Sequence, residues 1–398
     1  MFRYFPISVK FDDKINERYA LNNPPPKNLH SIYFQNLDAC RFFAAFAVFM
    51  LHFSNEIRGL FPEVTENFIF KATYIFTGKG SLGVNFFFVL SGFLITFLIL
   101  NEKKNFGDFH LGKFLIRRTL RIWPLYIMIG LIGFVLFPLL FDNYFTLHEP
   151  LYYFLFLANF DEIWHGANDS INFLTSPWSV AVEEQFYLFW GIALFTLFKL
   201  KSFKLEYLLI LLYAISFWFD WMNWEDEKLI YHHTLAVCQD ILMGAFIGLS
   251  LFKGKNWLDK LKKMPRLITV LVYAAGILLC IAKNKIFVGQ GIIFERFILS
   301  FFFGFIILDQ IRGNHSFFKF GKINLFNYLG KISYGIYMYH LVAMYLLLRF
   351  IPFDNFSLIT SSILFFLSSI LLTFGLSALS FHYFESKFLS LKPKHTVK

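Results

Sequence analysis

Residues 82–101 read LGVNFFFVLSGFLITFLILN, twenty in a row without a charged side chain. A helix needs about 20 predominantly apolar residues to cross a hydrocarbon core of roughly 30 Å, so this stretch reads as a membrane span. Its small residues Gly83, Ser91 and Gly92 would let a second helix backbone come close. Stretches of the same kind recur at about 38–58, 119–141, 179–199, 205–222, 230–252, 266–284, 288–310, 330–351 and 357–385. The sequence therefore predicts an all-α integral membrane protein, a bundle of about ten transmembrane helices. Composition points the same way: 57% of the 398 residues are hydrophobic, 58 are Phe and only 16% are charged. Soluble domains carry about 25% charged residues, which excludes an ordinary water-soluble globule.

An even number of spans puts both termini on one side, and the Lys/Arg bias of short loops names that side. With the termini inside, the inner segments hold 28 of the 37 Lys and Arg residues and the outer loops 7. Both termini are thus expected in the cytoplasm. The expected division is a cytoplasmic tail over 1–36, a membrane domain over 37–389 and a second tail over 390–398, with no soluble domain after the last span. The N-terminal residues lack the continuous apolar core of a secretion signal. The net charge of +10 does not signal nucleic acid, because the cations punctuate apolar runs and form no water-facing patch. Cys40, Cys238 and Cys280 sit inside apolar segments without metal-ligand spacing and read as small hydrophobes; no metal site is expected.

Ionisable residues within spans are costly and are functional candidates by default. Arg41 and His52 lie eleven residues apart on the first span. Eleven steps of 100° fall about 20° from three full turns, so the two share a face, separated by about 16 Å along the axis. That spacing suits a long ligand entering from inside with its anionic end first; the plainer readings are a snorkelling Arg41 and a hydrogen-bonded interior His52. PWSVAVEEQFYLFW, 177–190, opens another span with Glu183 and Glu184. Adjacent side chains point about 100° apart, so only one of them can face the first helix and orient the imidazole. FLIRRTLRIWPLY, 114–126, carries Arg117, Arg118 and Arg121, two of which can converge on a phosphate, although the charge bias of inner loops also accounts for them. His340, in ISYGIYMYHLV, 332–342, could carry a proton, touch the acceptor or simply bond a Tyr neighbour. The outer segment 142–178 has five acids, no Lys or Arg, and the aromatics Tyr144, Tyr152, Tyr153, Trp164 and Trp178. Aromatic faces and carboxylates suit a sugar, so Asp161, Trp164 and Trp178, together with Asn159 and Asn168, are candidate acceptor contacts; an interfacial aromatic belt is the alternative. Within it, LYYFLFLANF is too short to cross and would be re-entrant or interfacial.

LDACRFFAAFAVFMLHFS, 37–54, resembles the opening span of the acyltransferase 3 family of membrane acyltransferases, with its Arg, ten intervening residues and His. GVNFFFVLSGFLIT, the arginine block, the double-Glu block, ISYGIYMYHLV and FHYFESKFL, 381–389, are similar to that family's later blocks, in the same order. Ala39-Cys40 and Ser386 depart from it, where the family usually has Gly plus a residue such as Leu, and often Pro. The resemblance implies transfer of an acyl group, usually acetyl, from cytosolic acyl-coenzyme A to a carbohydrate or lipid-linked glycan at the outer face of a bacterial inner membrane. It implies His52 as the catalytic histidine and Glu183 as its block's carboxylate. Acyl-coenzyme A, a co-substrate and not a resident cofactor, would dock its phosphates on Arg117, Arg118 and Arg121, with Arg41 on its buried part. Some members carry a further esterase-like domain; without one, transfer would finish in the membrane site or on a separate partner. The rival expectation is a transporter, in which the same Arg, His and Glu form a proton or anion relay.

Overall fold

The computed structural model describes residues 34–142, 144, 146–166, 173–200, 204–313, 316 and 318–393. The chain runs through α1 (Gln35–Leu60), α2 (Phe68–Thr77), α3 (Leu82–Phe106) and α4 (Leu111–Leu131), then two short helices, α5 (Pro150–Phe154) and α6 (Ala158–Trp164). It continues with α7 (Trp178–Lys199), α8 (Leu205–Met222), α9 (Glu227–His232), α10 (Thr234–Phe252), α11 (Arg266–Ile286) and α12 (Ile293–Arg312). The short α13 (Asn324–Lys331), then α14 (Ser333–Phe350) and α15 (Leu358–Ser380), close the bundle. Among the described residues nine helices are long and apolar enough to cross a membrane. The tenth expected stretch, 330–351, forms the 18-residue α14, which is not one of the nine. Four Tyr, His340 and Arg349 lower its hydropathy, and almost every residue from Ser333 to Met344 is buried in protein. A helix walled in by other helices does not need an apolar surface.

The helix read from the opening stretch, α3, is apolar on every side, which places it in the bundle interior. It crosses α10 at backbone contact. A Cβ built on Gly92 would overlap the Ile241 carbonyl oxygen, and one on Gly244 the Val89 carbonyl oxygen. Gly244 and Gly248 form a small-xxx-small pair on α10, the pattern that lets membrane helices approach closely. Trp190 of α7 ties to the same helix, its Nε1–H donating to Thr96 Oγ1 at 2.9 Å. Because backbone cannot step aside as a side chain can, Gly92→Ala should destabilise the fold by about 1–3 kcal/mol or more. Gly375→Ala, where a Cβ meets nothing within 4 Å, should be neutral or mildly stabilising. Melting curves of the two detergent-solubilised variants against the parent check this; equal curves would remove the close-approach argument.

Residues 151–160 are not one re-entrant element. They form the end of α5 and the start of α6, joined at Phe156, whose φ of 57° is unusual for a side chain of that size. Gln185 of α7 holds the turn, its Nε2–H donating to the Phe156 carbonyl at 2.7 Å and to Asn159 Oδ1 at 2.8 Å. Asn159 in turn donates to the His232 carbonyl and to Thr234 Oγ1. The segment is thereby pinned to α7, α9 and α10.

Candidate active site

On α1, Arg41 Nη1 lies 2.5 Å from Asp38 Oδ1, one turn away. On α4, Arg118 and Arg121 are three residues apart and share a face. Together Arg41, Arg118 and Arg121 line two cavities that meet at these side chains. The larger, of about 320 Å³, adds Lys331 and Lys392 to the three arginines, with Asp38 and Glu385 as the acids. Burial, together with Arg121, Arg118 and Arg117 around it, pushes the Lys392 ammonium down to about 7. The smaller cavity, of about 110 Å³, runs on past Ser91, Glu183 and Tyr187 to Ser179 and Tyr337. The arginine triplet therefore divides: Arg118 and Arg121 converge, whereas Arg117 turns back to Glu102 Oε2 at 2.5 Å and lines neither cavity.

The two adjacent carboxylates separate as helix geometry requires. Tyr187 donates its hydroxyl hydrogen to Glu183 Oε2 at 2.9 Å and is itself closely hydrogen-bonded with Ser91. Arg121 and Arg118 act on the Glu183 carboxylate through space. Glu184 faces another way and accepts from Trp123 Nε1–H at 3.1 Å. The expected contact between Glu183 and the His52 imidazole is replaced by this one. A carboxylate in a low-dielectric interior is stabilised by cations and donors, and those are supplied by α4 and Tyr187.

His52 meets a different partner. Its ring lies against that of His340 on α14, centroids 5.1 Å apart. His340 Nδ1 sits 2.6 Å from the Tyr337 carbonyl oxygen. Tyr337, whose hydroxyl bonds Ser179 and donates to the Ser176 carbonyl, lines the far end of the smaller cavity. Three residues, or about 4.5 Å of helix rise, separate it from His340.

The expected acceptor contacts scatter. Asp161 is 1% exposed, and its carboxylate is taken up by His148 Nδ1 at 2.6 Å, His165 Nδ1 at 3.0 Å and the Glu149 N–H at 3.3 Å. It folds the segment and does not face solvent. Trp178 is 5% exposed among Phe88, Tyr231 and His232. Of the three, Trp164 alone is open, at 60% exposure, stacked on Phe160 and edge-on to Tyr152. Asn168 lies outside the described residues. The sequence reading missed His148, which sits between Asp161 and Glu162; burial pushes the Glu162 carboxyl up to about 7 although His148 opposes it. It also missed Tyr187, Tyr337, Lys331 and Lys392. Tyr187 lies one turn after Glu183, a signal available in the sequence. Lys331 and Lys392 reach the cavity only through the meeting of the α13 and C-terminal segments, which no local spacing records.

Residues 34–382 match the family model of an acyltransferase domain. The chain belongs to the acyltransferase 3 family. Within this family it is similar to the peptidoglycan O-acetyltransferase OatA of Listeria monocytogenes, 29% identical over 286 residues that make up 66% of this chain and 44% of that protein. A Staphylococcus aureus (strain COL) protein provisionally named an O-acetyltransferase is 26% identical over 295 residues, 67% of this chain and 46% of its own length. A Bacillus subtilis protein, YrhL, provisionally named a peptidoglycan O-acetyltransferase, is 27% identical over 238 residues, 56% of this chain and 34% of its own. The chain thus spans less than half the length of these relatives. No solved structure matches it. As an acyltransferase 3 chain with nine membrane-length helices among its described residues, it is a multi-pass membrane protein.

Proposed function

We propose that this chain is a membrane O-acetyltransferase that takes an acetyl group from cytosolic acetyl-coenzyme A and delivers it to a hydroxyl of a cell-surface carbohydrate at the outer face of a bacterial inner membrane. One observation carries the reading. The cationic cavity around Arg41, Arg118, Arg121, Lys331 and Lys392 continues past Glu183 and Tyr187 to Tyr337, one helical turn short of the His52–His340 pair. A polyanionic head with a long, thin, uncharged arm fits such a path: phosphates on the guanidinium groups, pantetheine between α3, α7 and α14, and the thioester towards His52. The 28-to-7 bias of Lys and Arg puts the cationic end in the cytoplasm. The catalytic unit is residues 37–389, and relatives named for peptidoglycan support a glycan acceptor.

In the reaction His52 accepts the proton of the acceptor hydroxyl as its oxygen bonds the thioester carbonyl carbon. The C–S bond then breaks and His52 returns the proton to the thiolate. Glu183 works at a distance from this step, holding Tyr187 and balancing Arg118 and Arg121 beside the arm.

Membrane vesicles carrying the protein should move label from [14C]acetyl-coenzyme A into the glycan fraction, and Arg121→Ala should raise the donor KM by about tenfold or more, a charge-assisted phosphate contact being worth about 1.5–3 kcal/mol. Accumulation of solute without thioester consumption would establish the transporter reading in its place.

A further inference from the structure

His340 has a fixed tautomer. Its Nδ1 faces the carbonyl oxygens of Tyr337, at 2.6 Å, and of Ile336. A carbonyl oxygen only accepts, so Nδ1 carries the hydrogen and Nε2 of the neutral ring is left as a bare lone pair. That Nε2 is buried without a hydrogen-bond partner in a side chain 1% exposed. An unpaired acceptor in such a place costs about 1–3 kcal/mol, which a donor turning towards it would recover. The His52 ring lies against it with centroids 5.1 Å apart. That separation lets an N–H···N bond of about 2.9 Å form, given two ring radii of roughly 1.1 Å each, once the His52 ring turns an N–H towards Nε2.

We propose that His340 is the positioning residue of the acyl-transfer site: its Nε2 accepts the N–H of His52, leaving the opposite nitrogen of His52 bare towards the acceptor hydroxyl. This rests on the proposed function and on His52 as its proton carrier. It gives His340 the part that an orienting carboxylate plays for a catalytic histidine elsewhere, and it accounts for Glu183 lying with the arginines. When His52 takes the hydroxyl proton, its positive charge is shared across the N–H···N bond. The charge leaves when the proton passes to the thiolate, and His340 gains and loses no proton over the cycle.

Two substitutions separate this from a packing role. His340→Asn keeps an amide N–H for the Tyr337 carbonyl and deletes Nε2; His340→Gln places an amide oxygen near the position of Nε2, able to accept from His52. With [14C]acetyl-coenzyme A as donor, His340→Asn should lose at least tenfold in kcat with the donor KM unchanged, and the acidic limb of its kcat–pH profile should move to lower pH, because a His52 imidazolium without its N–H acceptor is less stabilised and the neutral base persists further into acid. His340→Gln should recover to within about fivefold of wild type. His340→Asn at wild-type kcat overturns the inference, as does a raised acceptor KM at unchanged kcat, which would make His340 an acceptor contact. Should His340→Asn fail to accumulate, His340→Gln decides: donor bound normally with a hundredfold loss of kcat overturns the proposal, and near-wild-type kcat supports it. His52→Ala, run alongside, keeps the two readings apart. If it retains transfer, the base assignment falls and takes this inference with it; if it is inert while His340→Asn is fully active, only this inference falls.

Discussion

His52→Ala should abolish acetyl transfer while leaving the protein in the membrane at its normal level. A positioned general base contributes about 10²–10⁴-fold, and the fall should lie in that range. The neighbouring histidine cannot take over, because its ring sits deeper in the bundle, 1% exposed, out of reach of an acceptor hydroxyl placed at His52. Accumulation should survive because α1 is anchored independently of His52. Ser54 bonds Thr77 across to α2 at 2.8 Å, Phe42 stacks on Phe326 and Phe53 on Phe365, and Phe49 lies against Phe366. The measurement is transfer of label into glycan at matched membrane abundance. A residual activity above about a tenth of wild type would end the assignment of His52 as base.

Much of this arrangement is written locally. The uncharged run at 82–101 becomes α3, and its small residues make the close crossing with α10. Arg41 lines one cavity with Arg118 and Arg121, a meeting of α1 and α4 that the repeat of neither helix records. Helical spacing says which residues share a face; it does not say which helix that face meets. Glu183 was expected beside the first helix because an imidazole and a carboxylate make a familiar pair, yet α7 turns it to α4, where two arginines need a counter-charge. His52 and His340 are 288 positions apart, and only the packing of α14 on α1 brings their rings together. Asp161 was read as a sugar contact from its place in an acidic, aromatic stretch; its partners His148 and His165 show that the same residues fold the stretch. The stretch 330–351 is less apolar than the other spans for a related reason: Tyr337, Tyr339 and His340 of α14 face protein, a distinction that composition averages away.

Glu183→Gln should lower kcat by at least tenfold, and Glu184→Gln should stay within about threefold of wild type. Gln at 183 still offers an oxygen to the Tyr187 hydroxyl, which Glu183 Oε2 accepts at 2.9 Å, so the substitution removes charge and little else. What it takes away is the anion beside Arg118 and Arg121. At an effective dielectric of 20, a unit charge pair 4 Å apart is worth about 4 kcal/mol, ample to shift two guanidinium groups that also repel each other. The sign for the donor is opposite to that for the reaction. A cavity with one negative charge fewer attracts phosphate more strongly, so the acetyl-coenzyme A KM should fall or hold while kcat drops, the signature of a bound but misplaced donor. Glu184 also acts on Arg118 through space, but it lines neither cavity. Its Oε2 accepts from Trp123 Nε1–H, a bond that a Gln oxygen keeps, and its other oxygen is buried without a hydrogen-bond partner, so losing that charge relieves desolvation and leaves the site unchanged. Steady-state kinetics of the two variants, with donor affinity measured separately, check both signs. A rise in donor KM on Glu183→Gln would mean that this carboxylate orders the arginines for phosphate binding, and a greater loss in Glu184→Gln would move the working carboxylate to the Trp123 side of α7.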